Sequence, residues 1–370
     1  MKLRDIPKME VQRHMSPEIQ YMQSHAHLYV DRIIKNTRSF PQISSIDDLP
    51  PGAIRTLRGG RMSALYSVAI ENELIVIKMR RDGIEAECEA LEAWRRVKVP
   101  VPTVLKMGTL ADTKTMTGVK YLLLDFVLDR SGDPAPTGAD YLERHPSAAH
   151  RVGRLLGRTL ARMHRAKTDR TFGEYADMGH SNRSPYRSWN KYLLGYLDAY
   201  RPYLVSLGLT RKLVKRLETT IRDAEFGTVG TYVHGDYSLR NVMIDSRKPL
   251  RAVVFDPNPV IGDPSWDIAI LMNNRDYALR RYAWEPQDQA YRKIAKREER
   301  FLEGFWASYR NASRERVPLS HIRIAQLLQT LLHLATEERK EYARPEEKAV
   351  EIRSRRETLF ELIGTLTMNS

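Results

Sequence analysis

Three features that would indicate secretion or membrane insertion are missing from this 370-residue sequence. It has no run of eighteen apolar residues, so we expect no transmembrane helix. The charged N-terminal residues precede no apolar stretch, which argues against a secretory signal. Cys88 is the single cysteine, which excludes an internal disulfide framework and fits a reducing compartment. These absences predict a cytoplasmic protein that does not bind membranes.

Acidic residues are too few to balance the basic ones, and the formal net charge is +14. Such an excess attracts anions, among them ATP, nucleic acid and acidic surfaces. Most of it lies in residues 151–222, which hold sixteen Lys or Arg and five Asp or Glu. Within this segment arginines recur at helical spacing beside an apolar face, at Arg151, Arg154, Arg158, Arg162 and Arg165. A solvated helix face is the simpler interpretation of this stripe, and a track for a phosphate backbone is the alternative.

The order of predicted elements divides the chain into an extension and two lobes. We expect residues 1–50 to form an N-terminal extension, residues 51–127 a β-rich N-lobe, and residues 128–370 a mostly helical C-lobe. In the N-lobe the pattern predicts strands at 53–57, 64–70, 74–79, 103–107 and 120–126, with a helix at 84–97. In the C-lobe it predicts helices at 148–166, 189–200, 210–224, 288–310, 319–341 and 346–366, and one β patch at 230–256. The predicted fold class is therefore α+β with two lobes.

Three oxygen-bearing side chains are predicted to converge at one end of a β-hairpin. Short apolar strands at 242–244 and 252–255 are joined by a polar link. If they pair as antiparallel strands, Asn241 and Asp256 lie side by side, and Asp236 lies on the preceding loop at the same end. Hard oxygen ligands suit Mg²⁺, which bridges substrate phosphates. Phosphoryl transfer needs such a metal clamp and a carboxylate that orients the attacking hydroxyl.

The spacing His-x-Asp-x-x-x-x-Asn, followed by a strand and an Asp, is typical of a kinase catalytic loop and its metal-binding Asp. Here Gly235 stands in the middle position instead of Arg, and a Gly-Asp-Pro-x-x-Asp motif follows at 262–267. In this form the segment resembles the aminoglycoside phosphotransferase-like family, which includes choline, homoserine, fructosamine and methylthioribose kinases and has the protein-kinase-like fold. The helix that ends at Met163-His164 and the Val-Pro repeat at 99–102 are also similar to that family. The resemblance extends over roughly residues 54–310.

The resemblance implies ATP or GTP as the donor, together with Mg²⁺, and it assigns roles to the matching positions. Asp236 would be the catalytic base, and Asn241 and Asp256 would hold the metal. Asp267 would brace the catalytic loop through backbone hydrogen bonds, and His234 would support the loop without reacting.

A lysine of the first lobe completes the expected set. Lys78 ends an apolar strand, and a lysine in that position needs an anionic partner. In the family it would pair with the α and β phosphates and with a helix glutamate. The helix offers Glu85, Glu87, Glu89 and Glu92. Glu87 is favoured by its separation in sequence from Val99 and by the match of Trp94 to an apolar position of the helix.

A glycine pair before the lysine strand is the expected nucleotide loop. Two adjacent glycines let the backbone approach a phosphate, and Gly60, Met62 and Ser63 form the tip of this loop. Family members often carry Ser-Asn there, so Met62 and Ser63 depart from the pattern. The adenine would pack against the end of strand 120–126, with Asp125 to Val127 as the hinge between the lobes.

The acceptor is expected to be a small molecule with a hydroxyl group. The stretch from Asp256 to Asp267 contains no Ala-Pro-Glu and is too short for the activation segment of a protein kinase. Aromatic residues that could line an acceptor pocket, or equally form core, are Trp189, Tyr192, Tyr196, Trp284 and Trp306. The basic C-lobe argues against a polycationic acceptor. A kinase that acts on RNA or protein through residues 151–222 is one alternative, and a nucleotide-binding module without catalysis is the other.

Overall fold

The computed structural model divides into two compact units. Unit 1 comprises residues 1–92 and 101–134, and unit 2 comprises residues 93–100 and 135–370. The structure describes residues 21–22, 24–37, 45–57, 63–70, 73–80, 83–110, 118–129, 133–168, 172–174, 186–246, 249–284, 289–314, 316–339 and 345–368. Within these residues no helix combines the length and the low polarity needed to cross a membrane.

Unit 1 is built on a five-stranded antiparallel sheet with the strand order β1-β2-β3-β5-β4. Its elements are α1 (Ala26–Thr37), a 3₁₀ helix (Ile46–Asp48), β1 (Ile54–Thr56), β2 (Ala64–Ile70), β3 (Glu73–Arg80), α2 (Ile84–Arg96), β4 (Val104–Leu110) and β5 (Val119–Asp125). Residues Ile70 and Glu73 are the last pair between β2 and β3, so these strands form the expected hairpin. The five strands and the helix predicted for this lobe are confirmed to within three residues.

Helix α1 covers part of the sheet of unit 1. Its apolar residues Tyr29, Val30 and Ile33 are buried in one core cluster with the side chains of β2, β3 and β5. Just before the helix, the main-chain oxygen of Met22 accepts a 2.9 Å hydrogen bond from the buried hydroxyl of Tyr66 on β2. The sequence before the first strand therefore contributes to the core of this unit.

Unit 2 is mostly helical and contains two small antiparallel sheets. Its helices are α3 (Gly138–Arg144), a 3₁₀ helix (Pro146–Ala148), α4 (Ala149–Met163), α5 (Trp189–Ala199), α6 (Arg201–Ser206), α7 (Arg211–Asp223), α8 (Ser265–Trp284), α9 (Gln289–Ala312), α10 (Leu319–Arg339) and α11 (Pro345–Met368). Its strands are β6 (Lys167–Thr168), β7 (Gly173–Glu174), β8 (Gly230–Val233), β9 (Val242–Asp245), β10 (Arg251–Val254) and β11 (Val260–Gly262). Strands β9 and β10 form one sheet, and the other has the order β6-β8-β11-β7.

The six helices predicted for the second lobe are confirmed, whereas the 20-residue helix α8 was missed. The first turns of α8 are buried on every side, from Ser265 to Leu271. A helix that is buried all round shows no one-sided apolar period, so the spacing of apolar residues did not predict α8. Strands β6, β7 and β11 were also missed, because two or three residues cannot display an alternating pattern. The predicted two-lobed α+β fold class is nevertheless confirmed.

Helices α4 and α9 pack with their backbones in direct contact. A Cβ atom added at Gly153 would lie 1.9 Å from the carbonyl oxygen of Phe301, and one at Gly157 would lie 2.3 Å from that of Phe305. Only glycine therefore fits at these two positions on α4. The close contact places Tyr309 of α9 beside His164, the residue at which α4 ends.

Candidate active site

The predicted hairpin is formed by β9 and β10, and it brings the expected residues to one end. Val242 pairs with Val254, and the main-chain N–H of Phe255 donates a 3.1 Å hydrogen bond to the carbonyl oxygen of Asn241. Asp256 is the next residue, and its φ of 54° lies in the left-handed region. That conformation is unfavourable for a residue other than glycine and is found at functional sites more often than elsewhere. The chain therefore turns sharply at the residue expected to bind metal.

Asn241 links the hairpin to the loop that carries Asp236. Its amide nitrogen Nδ2 donates to the main-chain oxygen of Asp236 and to the carboxylate Oδ2 of the same residue, each at 2.8 Å. Because both neighbours of Nδ2 are acceptors, the amide has a defined orientation, with its oxygen Oδ1 turned away from Asp236. A hard oxygen is thus left without a contact to Asp236, at the end of the hairpin where Asp256 follows Phe255. This donor set fits a magnesium ion.

Asp236 is solvent-exposed, although protein surrounds part of its carboxyl group. Desolvation raises the pKa of this carboxyl above its ordinary value, while His234 and the hydrogen bond from Asn241 act in the opposite direction. A carboxylate that is both accessible and more basic than usual is well suited to accept a proton.

His234 is buried and holds the loop from inside. Its Nε2 lies 3.0 Å from the carbonyl oxygen of Phe255, and its Nδ1 accepts the main-chain N–H of Asp236 at 3.2 Å. These two partners require a neutral ring with its proton on Nε2. Burial lowers the pKa of His234, which favours the same neutral form. The ring of Trp94 stacks on it at 5.6 Å with an interplanar angle of 2°.

Asp267, in the first turn of α8, is fully buried and contacts the catalytic loop. Its two carboxylate oxygens accept the main-chain N–H groups of His234 and Gly235, each at 2.9 Å. These are the backbone contacts expected of this residue. Its Oδ2 also lies 3.2 Å from Nε2 of His164, whose Nδ1 lies 2.8 Å from the hydroxyl of Tyr309. Tyr309 could not be singled out from the sequence, because Phe301, Phe305 and Tyr309 recur every four residues like an ordinary core stripe.

Gly235 occupies a position that admits no side chain. Its φ is 74°, and an added Cβ would lie 1.9 Å from the carbonyl oxygen of Asn258. The main-chain N–H of Asn258 in turn donates a 2.9 Å hydrogen bond to the carbonyl oxygen of His234. The loop and the residues after Asp256 are therefore in backbone contact here, which explains why glycine replaces the arginine usual in kinase loops.

In unit 1 the structure brings Lys78 and Glu87 together. Nζ of Lys78 lies 2.5 Å from Oε2 of Glu87, and both side chains are almost fully buried, with exposures of 3% and 1%. Glu85 instead contacts Lys120 on β5. Of the four glutamates on the predicted helix, Glu87 is the one paired with Lys78 at this buried position.

The other expected nucleotide-binding residues of unit 1 are only partly described. Gly60 and Met62 lie outside the described residues, and Ser63 is buried at the start of the strand that follows them. The carboxylate of Asp125 accepts a hydrogen bond from the main-chain N–H of Thr103, and its own N–H donates to the carbonyl oxygen of Thr103 at 3.0 Å. Val127, two residues beyond β5, is half-buried. A role for Asp125 and Val127 as a hinge stays a prediction.

The aromatic residues considered for an acceptor pocket have different environments. Trp189 and Tyr192 are buried in the core of unit 2 and stack on each other at 4.7 Å. Tyr196 packs on the edge of this cluster, against the ring of Trp266. Trp306 is half-buried beneath the guanidinium of Arg310, and the side chain of Trp284 lies outside the described residues. Of these residues, Tyr196 and Trp306 keep part of their surface accessible.

Cys88 lies next to the helix glutamates, and its environment does not suit a nucleophile. Its Sγ is 3.8 Å from Oε1 of Glu92. Desolvation, with a further contribution from the charge of Glu92, raises the pKa of the Cys88 thiol to about 11. The thiol is therefore protonated at neutral pH and unreactive, as a merely structural cysteine would be.

Comparison with known proteins places this geometry among phosphate-transferring enzymes. The model of the phosphotransferase enzyme family matches residues 53–318. The crystal structure of aminoglycoside phosphotransferase APH(4)-Ia is similar to this one, with a TM-score of 0.55 and a sequence identity of 15%. The match covers 84% of this chain and 93% of that chain. A mutant of that enzyme in ternary complex with AMP-PNP and hygromycin B is similar over 90% of this chain and 97% of its own, at 15% identity and a TM-score of 0.53.

A third similar structure has a different description. It is a candidate fructosamine-3-kinase from Haemophilus somnus 129PT, with a TM-score of 0.54, 15% identity, and coverage of 91% of this chain and 96% of its own. At these identities the likenesses show a shared fold. No curated protein sequence matches this chain significantly.

Proposed function

Because this chain belongs to the phosphotransferase enzyme family, we propose that it transfers the γ-phosphate of ATP, or of GTP, to a hydroxyl group of a small molecule with Mg²⁺. The observation that carries this proposal is the arrangement at the end of hairpin β9–β10. There Asn241 donates a 2.8 Å hydrogen bond to the carboxylate of Asp236, and the backbone pairing of β9 with β10 brings Asp256 to the same end of the hairpin. The bound nucleotide analogue and hygromycin B named for the similar structure support a nucleotide donor and a small acceptor.

Asn241 and Asp256 are the residues that would hold Mg²⁺. The bound metal would neutralise charge on the nucleotide phosphates. Asp236 would accept the proton of the acceptor hydroxyl, because its carboxylate is exposed and its pKa is raised. The hydrogen bond from Asn241 fixes one carboxylate oxygen and leaves the other for the acceptor.

The buried residues behind the loop would hold Asp236 in position before substrate arrives. The carboxylate of Asp267 fixes two successive N–H groups, and His234 fixes a third, that of Asp236 itself. A catalytic group that is held by such contacts needs little rearrangement during the reaction. This preorganisation supports a catalytic loop over a simple nucleotide-binding loop.

The short connection after Asp256 supports a small acceptor over a peptide. Strand β11 begins at Val260, four residues beyond Asp256, and pairs directly with β8. This leaves no segment of the kind that docks a peptide in protein kinases. The basic character of residues 151–222 further favours an acceptor that is not polycationic.

Transfer of labelled phosphate from ATP across a panel of acceptors tests the proposed function. The panel contains antibiotics, sugars, amino alcohols and RNA, and Asp236→Asn serves as the inactive control because it keeps the size of the side chain. We expect phosphate transfer to one class of small molecule, and none with Asp236→Asn. Equal consumption of ATP by both proteins, or transfer to RNA alone, would contradict the proposal.

The buried pair of Lys78 and Glu87 gives a prediction that separates stability from activity. We propose that Lys78 contacts the nucleotide phosphates and that Glu87 orients it. Glu87→Leu removes the carboxylate that pairs with the buried ammonium of Lys78 and should destabilise unit 1 by about 3–5 kcal/mol. The double variant Lys78→Met/Glu87→Leu removes both charges and should regain most of that stability, while phosphate transfer stays lost.

Thermal unfolding and steady-state phosphate transfer would be measured for wild type, both single variants and the double variant. An active double variant would show that Lys78 has no role with the nucleotide. A double variant as unstable as Glu87→Leu would show that packing, and not the unpaired charge, determines the stability loss.

A further inference from the structure

We propose that the arginine stripe of helix α4, defined as Arg151, Arg154, Arg158, Arg162 and Arg165, binds the phosphate backbone of single-stranded nucleic acid. This proposal rests on the surface of unit 2 alone and is independent of the proposed phosphate transfer. It concerns a face of the molecule that takes no part in the hydrogen bonds of the catalytic loop.

The stripe is a straight row of exposed charges. All five arginine side chains are exposed, while Val152, Leu156 and Leu160 on the opposite face of the helix are buried. The arginines are three or four residues apart, so they occupy one side of the helix. At a rise of about 1.5 Å per residue, the eleven steps from Arg151 to Arg162 span about 16 Å along α4, and Arg165 follows two residues beyond the end of the helix. A row of this length can contact several successive phosphates of an extended strand.

The charges of the stripe are not neutralised within the protein. Among the residues that the structure describes, the side chains of Arg151, Arg154, Arg158 and Arg162 make no hydrogen bond or ion pair, and α4 itself contains no acidic residue. Other exposed or half-exposed arginines of this unit do have carboxylate partners, for example Arg201 with Asp198 and Arg355 with Glu351. The arginine side chains on α4, unlike these two, therefore have no carboxylate partner among the described residues.

The stripe ends at a pocket that could hold a phosphate group. Arg165, Lys167 and Arg314 line this pocket, which has a volume of about 150 Å³ and, among the residues that the structure describes, no carboxylate in its wall. Nη2 of Arg165 donates a 2.7 Å hydrogen bond to the carbonyl oxygen of Ala312, which orients the guanidinium and leaves its other N–H groups available. Three cationic side chains around one cavity continue the stripe in the direction of a bound strand.

A nucleic acid fits this surface better than an anionic membrane does. Helices that lie on membranes insert an apolar face between the lipids. The apolar face of α4 is already buried, since Gly153 and Gly157 bring its backbone against α9. Every residue of α4 is described, and none of its large apolar side chains is exposed. The stripe therefore offers charge without a means of insertion.

Fluorescence anisotropy with a labelled 20-residue oligouridylate, measured on the full chain between 50 and 200 mM KCl, tests the proposal. If each of five arginines neutralises one phosphate, log Kd should rise with log salt with a slope of about 3.5. The variant Arg154→Gln/Arg158→Gln/Arg162→Gln should lower this slope to about 1.4 and weaken binding about 100-fold at 0.1 M salt. Oligothymidylate should bind as tightly as oligouridylate, because the stripe contacts only phosphates.

The matched control removes the same charge from another helix of unit 2. Arg211→Gln/Lys212→Gln/Lys215→Gln changes three exposed side chains on α7 and should leave the affinity within about threefold. The variant Arg154→Lys/Arg158→Lys/Arg162→Lys keeps the charge and should keep the slope, which gives a test even if the glutamine variant fails to fold.

Three results would overturn the proposal. The first is equal weakening by the α7 control, which would show that only net charge matters. The second is affinity that does not depend on salt or on the stripe. The third is binding to phosphatidylserine vesicles in the absence of any binding to either oligonucleotide, which would identify a lipid surface as the ligand.

Discussion

Replacing Asp236 with alanine is expected to reduce phosphate transfer by about 10²–10⁴-fold while nucleotide affinity stays near that of the wild type. The same replacement at Asp256 is expected to abolish Mg²⁺-dependent nucleotide binding. The difference follows from the proposed roles, since a general base acts on the acceptor hydroxyl and a metal ligand acts on the nucleotide. The two carboxylates lie at the same end of one hairpin, so general disruption of that region would affect both variants alike.

Nucleotide binding titrated with and without Mg²⁺, together with single-turnover phosphate transfer, would separate the two variants. Asn241→Ala is the informative companion, because it removes both the proposed ligand oxygen and the hydrogen bond to Asp236. It should weaken Mg²⁺-dependent binding less than Asp256→Ala does, because it removes a neutral ligand and not a charge, and it should also lower the transfer rate. Equal effects of Asp236→Ala and Asp256→Ala on nucleotide binding would contradict the assigned roles.

Gly235→Ala is expected to destabilise unit 2 by about 2–5 kcal/mol and to reduce phosphate transfer at least about 100-fold. Part of this loss comes from the left-handed conformation at a φ of 74°. The larger part comes from the carbonyl oxygen of Asn258, which belongs to the backbone and cannot turn aside like a side chain. To make room for the added methyl group, the loop that carries Asp236 or the segment that follows Asp256 must move.

Gly208→Ala is the control for this experiment. Gly208 also has a positive φ, 87°, but no atom lies within 4 Å of an added Cβ. Its replacement should therefore cost only the left-handed conformation, about 1–2 kcal/mol, and leave activity unchanged. Thermal unfolding and phosphate transfer would be compared for the two variants. If Gly235→Ala is no less stable than Gly208→Ala and fully active, the backbone contact with Asn258 does not constrain the loop.

Much of the fold was predictable because the signals are local. Helices α4, α7 and α9 of unit 2 each place apolar residues on one face, so their period can be read along the chain. Helix α8 and strands β6, β7 and β11 lack such a period, and only the contacts around them define them. The same argument applies to Trp189 and Tyr192, since an aromatic residue in a core and one in a pocket look alike in sequence.

For the candidate site, too, some features follow from the sequence and others only from the packing of distant elements. The sequence by itself determined which residues are candidates, namely Lys78, Asp236, Asn241 and Asp256, because their types and spacing resemble those of a kinase catalytic loop and its lysine. The tertiary structure decided the contacts between distant parts of the chain. These contacts are the burial of Lys78 with Glu87, the connection from Tyr309 through His164 to Asp267, and the contact that excludes a side chain at Gly235. Such contacts depend on how separate elements pack, and no periodicity within one element records that packing.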